Sequence, residues 1–264
     1  MHLRMNARRL GAVAAAVLSG AALTLSPEPA ATGAAPAPTA FGPGPGPGGK
    51  PGDIFQGSNW GGYAAEGHYT SISGSWVQPH VTCAPVGSLF GIWLGLDGYG
   101  SSTVEQTGVQ IDCSSGTPEL SGWYEMYPAN PVYWRDPIAE GDSMTASVVF
   151  QGNSFPFSGG RYTITLKDNT RGWTETVSPP VGNAHNASAE AVIESPVHSY
   201  PYFQQVDFTN ITVNGKPFGG LSPSPVPLTS DGYAPGPLNG GSFAITPAGR
   251  ARARHLEGAA ARGR

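Results

Sequence analysis

The sequence has 264 residues, of which 12% are charged, and its 38 glycines and 26 prolines make up nearly a quarter of the chain. An ordinary soluble domain carries about 25% charged residues, so coiled coils and helical bundles, which need charged outer faces, are excluded. Hydrophobic residues account for 39% of the chain, with six tryptophans and ten tyrosines. This is enough for a packed core, and we expect one folded domain with unfolded ends.

The charged residues are unevenly distributed along the chain. Residues 41–247 contain six Lys or Arg against sixteen Asp or Glu, a net charge of −10, whereas most of the arginines lie near the two ends. Nucleic-acid affinity comes mainly from Lys and Arg that neutralise phosphates. The domain is therefore not expected to bind nucleic acid.

The first residues have the layout of a cleavable export signal. Arg8 and Arg9 precede an apolar run over residues 10–25, and small residues follow as far as Ala31. Sixteen apolar residues are too few to span a bilayer comfortably. We expect residues 1–30 to be a signal peptide, and the mature protein to be secreted and free of the membrane, by either the general or the twin-arginine route.

Composition predicts the other boundaries. Residues 31–52 are rich in Ala, Pro and Gly, which is typical of a linker and too short for a folded inhibitory prodomain. Residues 248–264 are rich in arginine, have no apolar periodicity, and are predicted to be a disordered tail. The folded domain is therefore predicted at residues 53–247.

The domain has the pattern of an all-β protein. Apolar and polar residues alternate over residues 71–79, 143–150, 161–168 and 208–213, and no helical periodicity occurs. Gly and Pro recur every eight to twelve residues, the turn spacing of an antiparallel sandwich or barrel. We predict an antiparallel β-sandwich of two packed sheets, of the jelly-roll or lectin-like kind.

The two cysteines fit the exported location. Cys83 and Cys113 are the only cysteines in the sequence, and in an exported chain they are expected to form a disulfide. A bridge closing this loop contributes roughly 3–4 kcal/mol in the chain-entropy model.

Several hydrolase signatures are absent. The sequence contains no GxSxG, no Asp-Thr-Gly or Asp-Ser-Gly and no HExxH. Serine-esterase, pepsin-like and zinc-hydrolase assignments are therefore unsupported, and no metal or other cofactor is expected.

Three strand segments place polar and aromatic side chains on one face. Since alternate residues of a strand point to opposite faces, each of three groups is predicted to share a face: Trp123, Glu125 and Tyr127; Val104, Gln106 and Gly108; and Glu190, Val192 and Glu194. Glu105 points away from the face of Gln106. From periodicity alone, a solvated strand face is the favoured interpretation of each group, and a functional site is the alternative.

A pair of glycosidase carboxylates is one interpretation of these groups. Glu190 and Glu194, four residues apart on one strand, would lie about 13 Å apart, beyond the roughly 5–9.5 Å that such pairs need. That pair is excluded, but Glu125 with Glu194 from different strands stays open. A carbohydrate-binding sandwich is a further alternative, because such proteins line a concave sheet with aromatic and acidic residues.

Six segments in order resemble the glutamic peptidases, or eqolisins: SNWGGYA at 58–64, IWLGLDG at 92–98, EQTGV at 105–109, WYEMYP at 123–128, EGDSM at 140–144 and AEAVIE at 189–194. The resemblance implies two long antiparallel sheets, peptide-bond hydrolysis and a catalytic Gln/Glu pair, here Gln106 and Glu194. It places six further residues in the cleft: Trp60, Trp93, Asp97, Trp123, Glu125 and Tyr127. We expect a monomer that acts on polypeptides.

The sequence also departs from the family. Gln110 stands where fungal members often have Asp, with Asp112 two residues later. Glu105 stands where members commonly have an apolar residue, and from the opposite face it is not expected to touch the chemistry. A long prodomain like that of fungal members is not expected. A catalytically inactive homologue that only binds peptides is disfavoured, because both residues of the pair are present.

The pair predicts a mechanism and a working pH. Glu194 would take a proton from the attacking water and return it to the leaving amine, while Gln106 donates a hydrogen bond to the oxyanion. A primary amide does not titrate and a glutamate has an ordinary pKa near 4.3, so such an enzyme can work in acid.

With few cations to pair its carboxylates, the domain is also expected to melt at a higher temperature near pH 4 than near pH 7.5.

Overall fold

The computed structural model describes residue 41 and residues 59–152, 160–182 and 184–249, all in one compact unit. The predicted signal peptide, the linker apart from Phe41, and the tail beyond residue 249 lie outside the described residues. The described residues form one 3-10 turn, Phe218–Gly220, and seventeen strands. The strands are β1 (Trp60–Glu66), β2 (Ser71–Val77), β3 (Val81–Thr82), β4 (Leu89–Leu96), β5 (Val104–Asp112), β6 (Glu119–Tyr127), β7 (Val132–Tyr133), β8 (Ser143–Phe150), β9 (Tyr162–Asp168), β10 (Trp173–Val177), β11 (Ser188–Glu194), β12 (Tyr202–Phe203), β13 (Val206–Val213), β14 (Lys216–Pro217), β15 (Val226–Leu228), β16 (Tyr233–Pro235) and β17 (Phe243–Pro247).

The strands form two large antiparallel sheets. The first, called here the site sheet, has the order β15-β1-β11-β4-β5-β6-β7. The second has the order β10-β9-β8-β2-β13-β17-β16, with β14 paired to β13, and a small separate sheet joins β12 to β3. The prediction of an antiparallel β-sandwich is therefore confirmed, and all four predicted alternating segments lie in strands of the second sheet.

The main core lies between the two sheets. In β8 and β9 buried residues alternate with more exposed ones, because one face of the second sheet packs inward while the other meets water. Inward side chains such as Trp76, Leu94, Ile164 and Ile193 are almost wholly buried there. Burying a side chain of this size contributes about 1.5–3 kcal/mol relative to exposure.

The site sheet is buried on both faces. Every residue of β4 and β11 is buried, because a second apolar cluster covers the face that points away from the main core. The buried members of this outer cluster are Phe41, Trp60, Ala64, Leu89, Trp93, Tyr99, Val104, Trp123, Val192 and Leu228. The interpretation of a solvated strand face is therefore wrong for this sheet, since Gln106, Glu125, Glu190 and Glu194 are all inaccessible to solvent.

The expected disulfide is present. Cys83, just after β3, is bonded to Cys113, just after β5, across 30 residues of sequence. The bridge anchors the loop that leads into β4 at the end of the neighbouring strand. No helix in the part of the chain that the structure describes has the length and apolar character needed to cross a bilayer.

Candidate active site

The strand register arranges the site in two rows that both cross β4. Gln106 on β5 lies opposite Glu125 on β6 and opposite Gly95 on β4. Glu194 on β11 lies opposite Trp60 on β1 and Gly91 on β4. Gly91 and Gly95 are four residues apart, so the two rows are separated by about 13 Å along the strand.

Gln106 is buried and its amide nitrogen is fully engaged. Nε2 donates one hydrogen bond to the backbone carbonyl of Phe41 at 2.6 Å and another to Oε2 of Glu125 at 2.9 Å. The oxygen of the same amide, Oε1, accepts no hydrogen bond from the residues that the structure describes. The two contacts fix the amide with its nitrogen turned towards Phe41.

Glu125 supports this orientation as a neutral acid. Burial raises its pKa to about 8, although hydrogen bonds from the Phe41 amide and from Gln106 act in the opposite direction. Since Oε2 accepts both of these bonds, the side chain orients Gln106 without bringing a negative charge to the site at acidic pH.

Glu194 is held by two side-chain donors. Asn59 donates through Nδ2 to Oε1 at 2.8 Å, and the indole Nε1 of Trp93 donates to Oε2 at 3.2 Å. The backbone of Asn59 is itself fixed, because its backbone carbonyl accepts hydrogen bonds from the amide of Ser195 and the hydroxyl of Tyr200. The sequence prediction missed Asn59, although it immediately precedes Trp60 in one of the family segments.

Trp93 lies between the two rows. A Cβ at Gly95 would lie 2.9 Å from the Trp93 ring and 3.1 Å from Cβ of Gln106. The indole can therefore occupy this space only because residue 95 has no side chain. The rings of Trp60 and Trp93 pack edge to face, with centroids 4.8 Å apart. Trp93 therefore lies beside Gly95, the residue opposite Gln106, and donates to Glu194 through its indole nitrogen.

Phe41 fills the space over this surface. Its ring stacks on Trp123 with centroids 4.5 Å apart, and a Cβ at Gly91 would lie only 2.7 Å from the ring. Its amide donates to Oε2 of Glu125 at 3.1 Å. The sequence prediction assigned Phe41 to the linker. The available signal was a single aromatic residue in a stretch made almost entirely of small residues and proline.

Two of the remaining predicted residues, Trp123 and Tyr127, belong to the outer cluster around this centre, whereas the carboxyl of the third, Asp97, neighbours Glu105 on the opposite face. Trp123 packs in the outer cluster, with the half-buried Tyr127 against it. Asp97 adopts φ 65 at the end of β4, a left-handed conformation that Asp tolerates better than most residues. Its carboxylate accepts hydrogen bonds from the backbone amides of His185, Asn186 and Ala187. These contacts hold Asp97 against the loop before β11.

Glu105 lies on the opposite face, as predicted. It is buried, and burial together with the neighbouring carboxyl of Asp97 raises its pKa to about 9. Gln110, the residue in place of the fungal Asp, accepts a hydrogen bond from the hydroxyl of Tyr133 at 2.6 Å. Among the described residues, no group of three His, Cys, Asp or Glu side chains is arranged to hold a metal ion.

The sequence model of the Peptidase A4 family matches residues 58–222. The chain belongs to this family, the eqolisins. It is accordingly a glutamic peptidase, a hydrolase of peptide bonds. The matched residues include Asn59, Gln106 and Glu194, whereas Phe41 lies before the match.

Solved eqolisins share the fold. Scytalido-glutamic peptidase, solved with a transition state analog inhibitor, is 21% identical, with a TM-score of 0.57 over 72% of this chain and 98% of that one. SCP-B, solved with the tripeptide Ala-Ile-His, is 20% identical, with a TM-score of 0.52 over the same shares. No curated protein sequence matches significantly.

Proposed function

We propose that this eqolisin is a secreted endopeptidase that works in acid, with Gln106 and Glu194 as its catalytic pair. One observation carries the proposal. The amide of Gln106 donates to a peptide carbonyl at 2.6 Å, at a centre that shares its sheet face with the buried Glu194. A donor held on a peptide carbonyl is the element that amide hydrolysis needs for the developing oxyanion.

Glu194 supplies the proton transfers. As a carboxylate it takes a proton from water while the oxygen of that water attacks the scissile carbonyl carbon, and it then gives the proton to the leaving nitrogen. The hydrogen bonds from Asn59 and Trp93 favour the ionised form that this first step requires. They also leave the carboxylate fixed in one orientation, which lowers the cost of aligning it.

Gln106 supplies electrostatic stabilisation. The tetrahedral intermediate carries negative charge on the former carbonyl oxygen, and a preoriented N–H in a buried site stabilises it without reorganisation. Glu125 keeps the amide nitrogen turned towards that oxygen through the 2.9 Å contact. Removing a single donor of this kind costs about 100- to 1000-fold in kcat in other hydrolases.

The state of Glu125 favours activity in acid. With a pKa of about 8, Glu125 is neutral at low pH and ionises only in mildly alkaline solution. An ionised Glu125 beside Gln106 would oppose the developing oxyanion by charge repulsion. The proposed chemistry therefore weakens as the pH approaches 8.

Export is supported by two features. The chain begins with the charged and apolar residues of a signal peptide, and its only two cysteines are joined in a disulfide, which is typical of proteins in oxidising compartments.

A casein digest across pH 2–7 tests the proposal. We expect proteolysis in acid that is lost in Glu194→Gln and reduced at least 100-fold in Gln106→Ala. Glu119→Gln and Gln204→Ala, which alter exposed residues, serve as matched controls with full activity. Near-normal turnover in either variant of the pair would contradict the assignment.

A further inference from the structure

Asn186 lies in a short loop before β11 and is held there by two residues from other parts of the fold. The loop covers residues 184–187 and is called here the β11 loop. The amide of Asn186 donates to Oδ2 of Asp97 at 2.8 Å, and its side-chain Oδ1 accepts a hydrogen bond from the hydroxyl of Tyr162 at 2.9 Å. The carboxylate of Asp97 also accepts hydrogen bonds from the amides of the residues on either side. Asp97 and Tyr162 together therefore fix the position of the β11 loop.

Glu105 lies against both of these residues. The register of β4 and β5 places it opposite Leu96, the residue before Asp97. Its carboxyl makes hydrogen-bonding contacts with the carboxyl of Asp97 and the hydroxyl of Tyr162, and its exposed fraction is 1%. Oε2 of Glu105 has no hydrogen-bond partner within the described part of the chain. The group that fixes the loop thus contains a second buried carboxyl, which the proposed peptidase mechanism does not use.

The pair of carboxyls at Glu105 and Asp97 shares one proton. Two carboxyls in contact in a buried place do not both ionise, because their like charges repel and neither is solvated. Asp97 accepts backbone amides at both of its oxygens, as an ionised carboxylate does. The proton of the pair therefore belongs to Glu105, which donates it to Asp97.

Loss of this proton would break a contact of the loop. The titratable groups that face Glu105 are Asp97 at the end of β4, Tyr162 on β9 and Glu190 on β11, and all three are acidic. A phenol has one hydrogen to donate, and Tyr162 gives its hydrogen to Asn186. An ionised Glu105 would gain a donor only if Tyr162 turned away from Asn186, and would escape repulsion only if Asp97 moved away. Either change removes one of the two contacts that hold Asn186.

We propose that the carboxyl pair of Glu105 and Asp97 is a pH-sensitive switch, which holds the β11 loop closed while it keeps its proton and releases the loop when that proton is lost to solvent. No covalent bond changes, so the release is reversible. Asp97 and Asn186 both have left-handed backbone conformations, with φ 65 and φ 52. Such conformations cost free energy and persist only where the surrounding contacts enforce them. Losing either contact of Asn186 therefore favours opening.

The switch is expected to act on the alkaline side. Burial, together with the neighbouring Asp97, raises the pKa of Glu105 to about 9, so the proton is kept in acidic and neutral solution. The closed loop is therefore fully present at low pH and is lost as the pH rises through about 9. The strand β11 begins directly after the loop and carries Glu194. An effect of the open loop on peptide hydrolysis rests on the proposed function, whereas the opening itself does not.

Amide hydrogen exchange measures the opening in the full chain that carries Glu194→Gln, so that self-digestion does not interfere. The readout is the protection factor, the ratio of the intrinsic to the measured exchange rate, at pH 6 and at pH 9.5. Between these pH values we expect the amides of residues 185–187 to lose roughly tenfold or more in protection relative to the amides of β8. The β8 amides lie inside the second sheet and report any opening of the whole domain.

Variants in the same background separate Glu105 from the other groups that titrate. Glu105→Gln keeps a donor for Asp97 and cannot ionise, so its β11 loop is expected to keep equal protection at both pH values. Glu105→Leu cannot ionise either and is expected to lose the pH response as well, which tests the inference if the first variant does not fold. Glu119→Gln, at an exposed position, is the matched control with an unchanged response. His185→Gln removes an exposed titratable side chain of the loop itself and is also expected to keep the response.

The outcomes distinguish this inference from the proposed function. Unchanged protection of residues 185–187 at pH 9.5, or an equal loss in β8, overturns the inference and leaves the proposed function standing. A full response in Glu105→Gln, or its loss in His185→Gln, overturns the inference as well. If the loop responds as expected but the wild-type chain does not digest casein, the proposed function fails and the inference stands.

Discussion

Glu125 lies directly opposite Gln106 on the neighbouring strand, and its Oε2 accepts a hydrogen bond from the Gln106 amide at 2.9 Å. The pairing decides which end of the Gln106 amide faces the substrate. A glutamine side chain carries a donor at one end and an acceptor at the other. Without a fixed acceptor beside it, the amide could turn and present its oxygen to the carbonyl that it should polarise.

Replacing Glu125 tests this orienting role. Glu125→Gln keeps a carbonyl oxygen that can accept from Gln106, so we expect kcat in acid to fall less than tenfold. Glu125→Ala removes the acceptor, and we expect kcat to fall by about 100-fold, close to the effect of removing the donor itself. Steady-state hydrolysis of a peptide at pH 4 measures both, and equal losses in the two variants would contradict the role.

The same pair of variants tests the alkaline side of the pH profile. In wild type, ionisation of Glu125 with a pKa of about 8 brings a negative charge next to the oxyanion. Glu125→Gln cannot ionise, so its kcat is expected to fall less between pH 6 and pH 8 than that of wild type. A parallel decline in both enzymes would show that another group controls this limb.

Asn59 tests how the carboxylate of Glu194 is held. Its Nδ2 donates to Oε1 of Glu194 at 2.8 Å, and a hydrogen bond to a carboxylate favours the ionised form. In Asn59→Ala the acidic limb of the kcat profile is therefore expected to move to higher pH, because the carboxylate of Glu194 loses this donor. An exposed asparagine, Asn169→Ala, is the control, and an unmoved limb in Asn59→Ala would contradict the argument.

Strand alternation predicted much of the site, because it depends only on neighbouring residues. It correctly placed Val104 on the face of Gln106, Trp123 on that of Glu125 and Val192 on that of Glu194, and all three apolar residues lie in the outer cluster. It also placed Glu105 on the face away from Gln106. These assignments follow from the two-residue period of a strand and need no knowledge of which strands pair.

Alternation did not predict what covers that face. The contacts of Phe41 with Gln106 and Glu125 span 65 and 84 residues, and two of its three kinds of contact use backbone atoms, which leave no trace in composition. The burial of both faces of β4 depends equally on the order of the strands. A local pattern could therefore predict the direction of each side chain but could not tell a solvated face from a filled one.

The disulfide makes a prediction about stability. Cys83 and Cys113 close a loop across 30 residues, for which the chain-entropy model gives a contribution of about 3–4 kcal/mol. In the double variant Cys83→Ser with Cys113→Ser, the free energy of unfolding is expected to fall by about this amount. Urea unfolding measures it, and a loss below about 1 kcal/mol would show that the bridge does not constrain the unfolded chain.

Buried carboxyls give the protein an unusual dependence of stability on pH. Burial raises the pKa of Glu105 to about 9 and that of Glu125 to about 8, and it raises the pKa of Glu190 well above its ordinary value. Between pH 4.5 and these values the folded chain keeps protons that the unfolded chain has released. Stability is therefore fully present below about pH 4.5 and falls as the pH rises, by up to about 1.4 kcal/mol per pH unit for each group.

This fall in stability with rising pH supports a higher melting temperature near pH 4 than near pH 7.5. The groups responsible are the buried carboxyls of Glu105, Glu125 and Glu190. The measurement should use the Glu194→Gln chain so that self-digestion does not obscure unfolding. Glu105→Gln imitates the protonated side chain at every pH, so it is expected to reduce the slope of unfolding free energy against pH by about one proton between pH 5 and pH 7.5. The exposed Glu119→Gln should keep the original slope. If Glu105→Gln also keeps the original slope, the proton is held by another group. If the Glu194→Gln chain is more stable at pH 7.5 than at pH 4, the buried carboxyls are ionised in the folded protein.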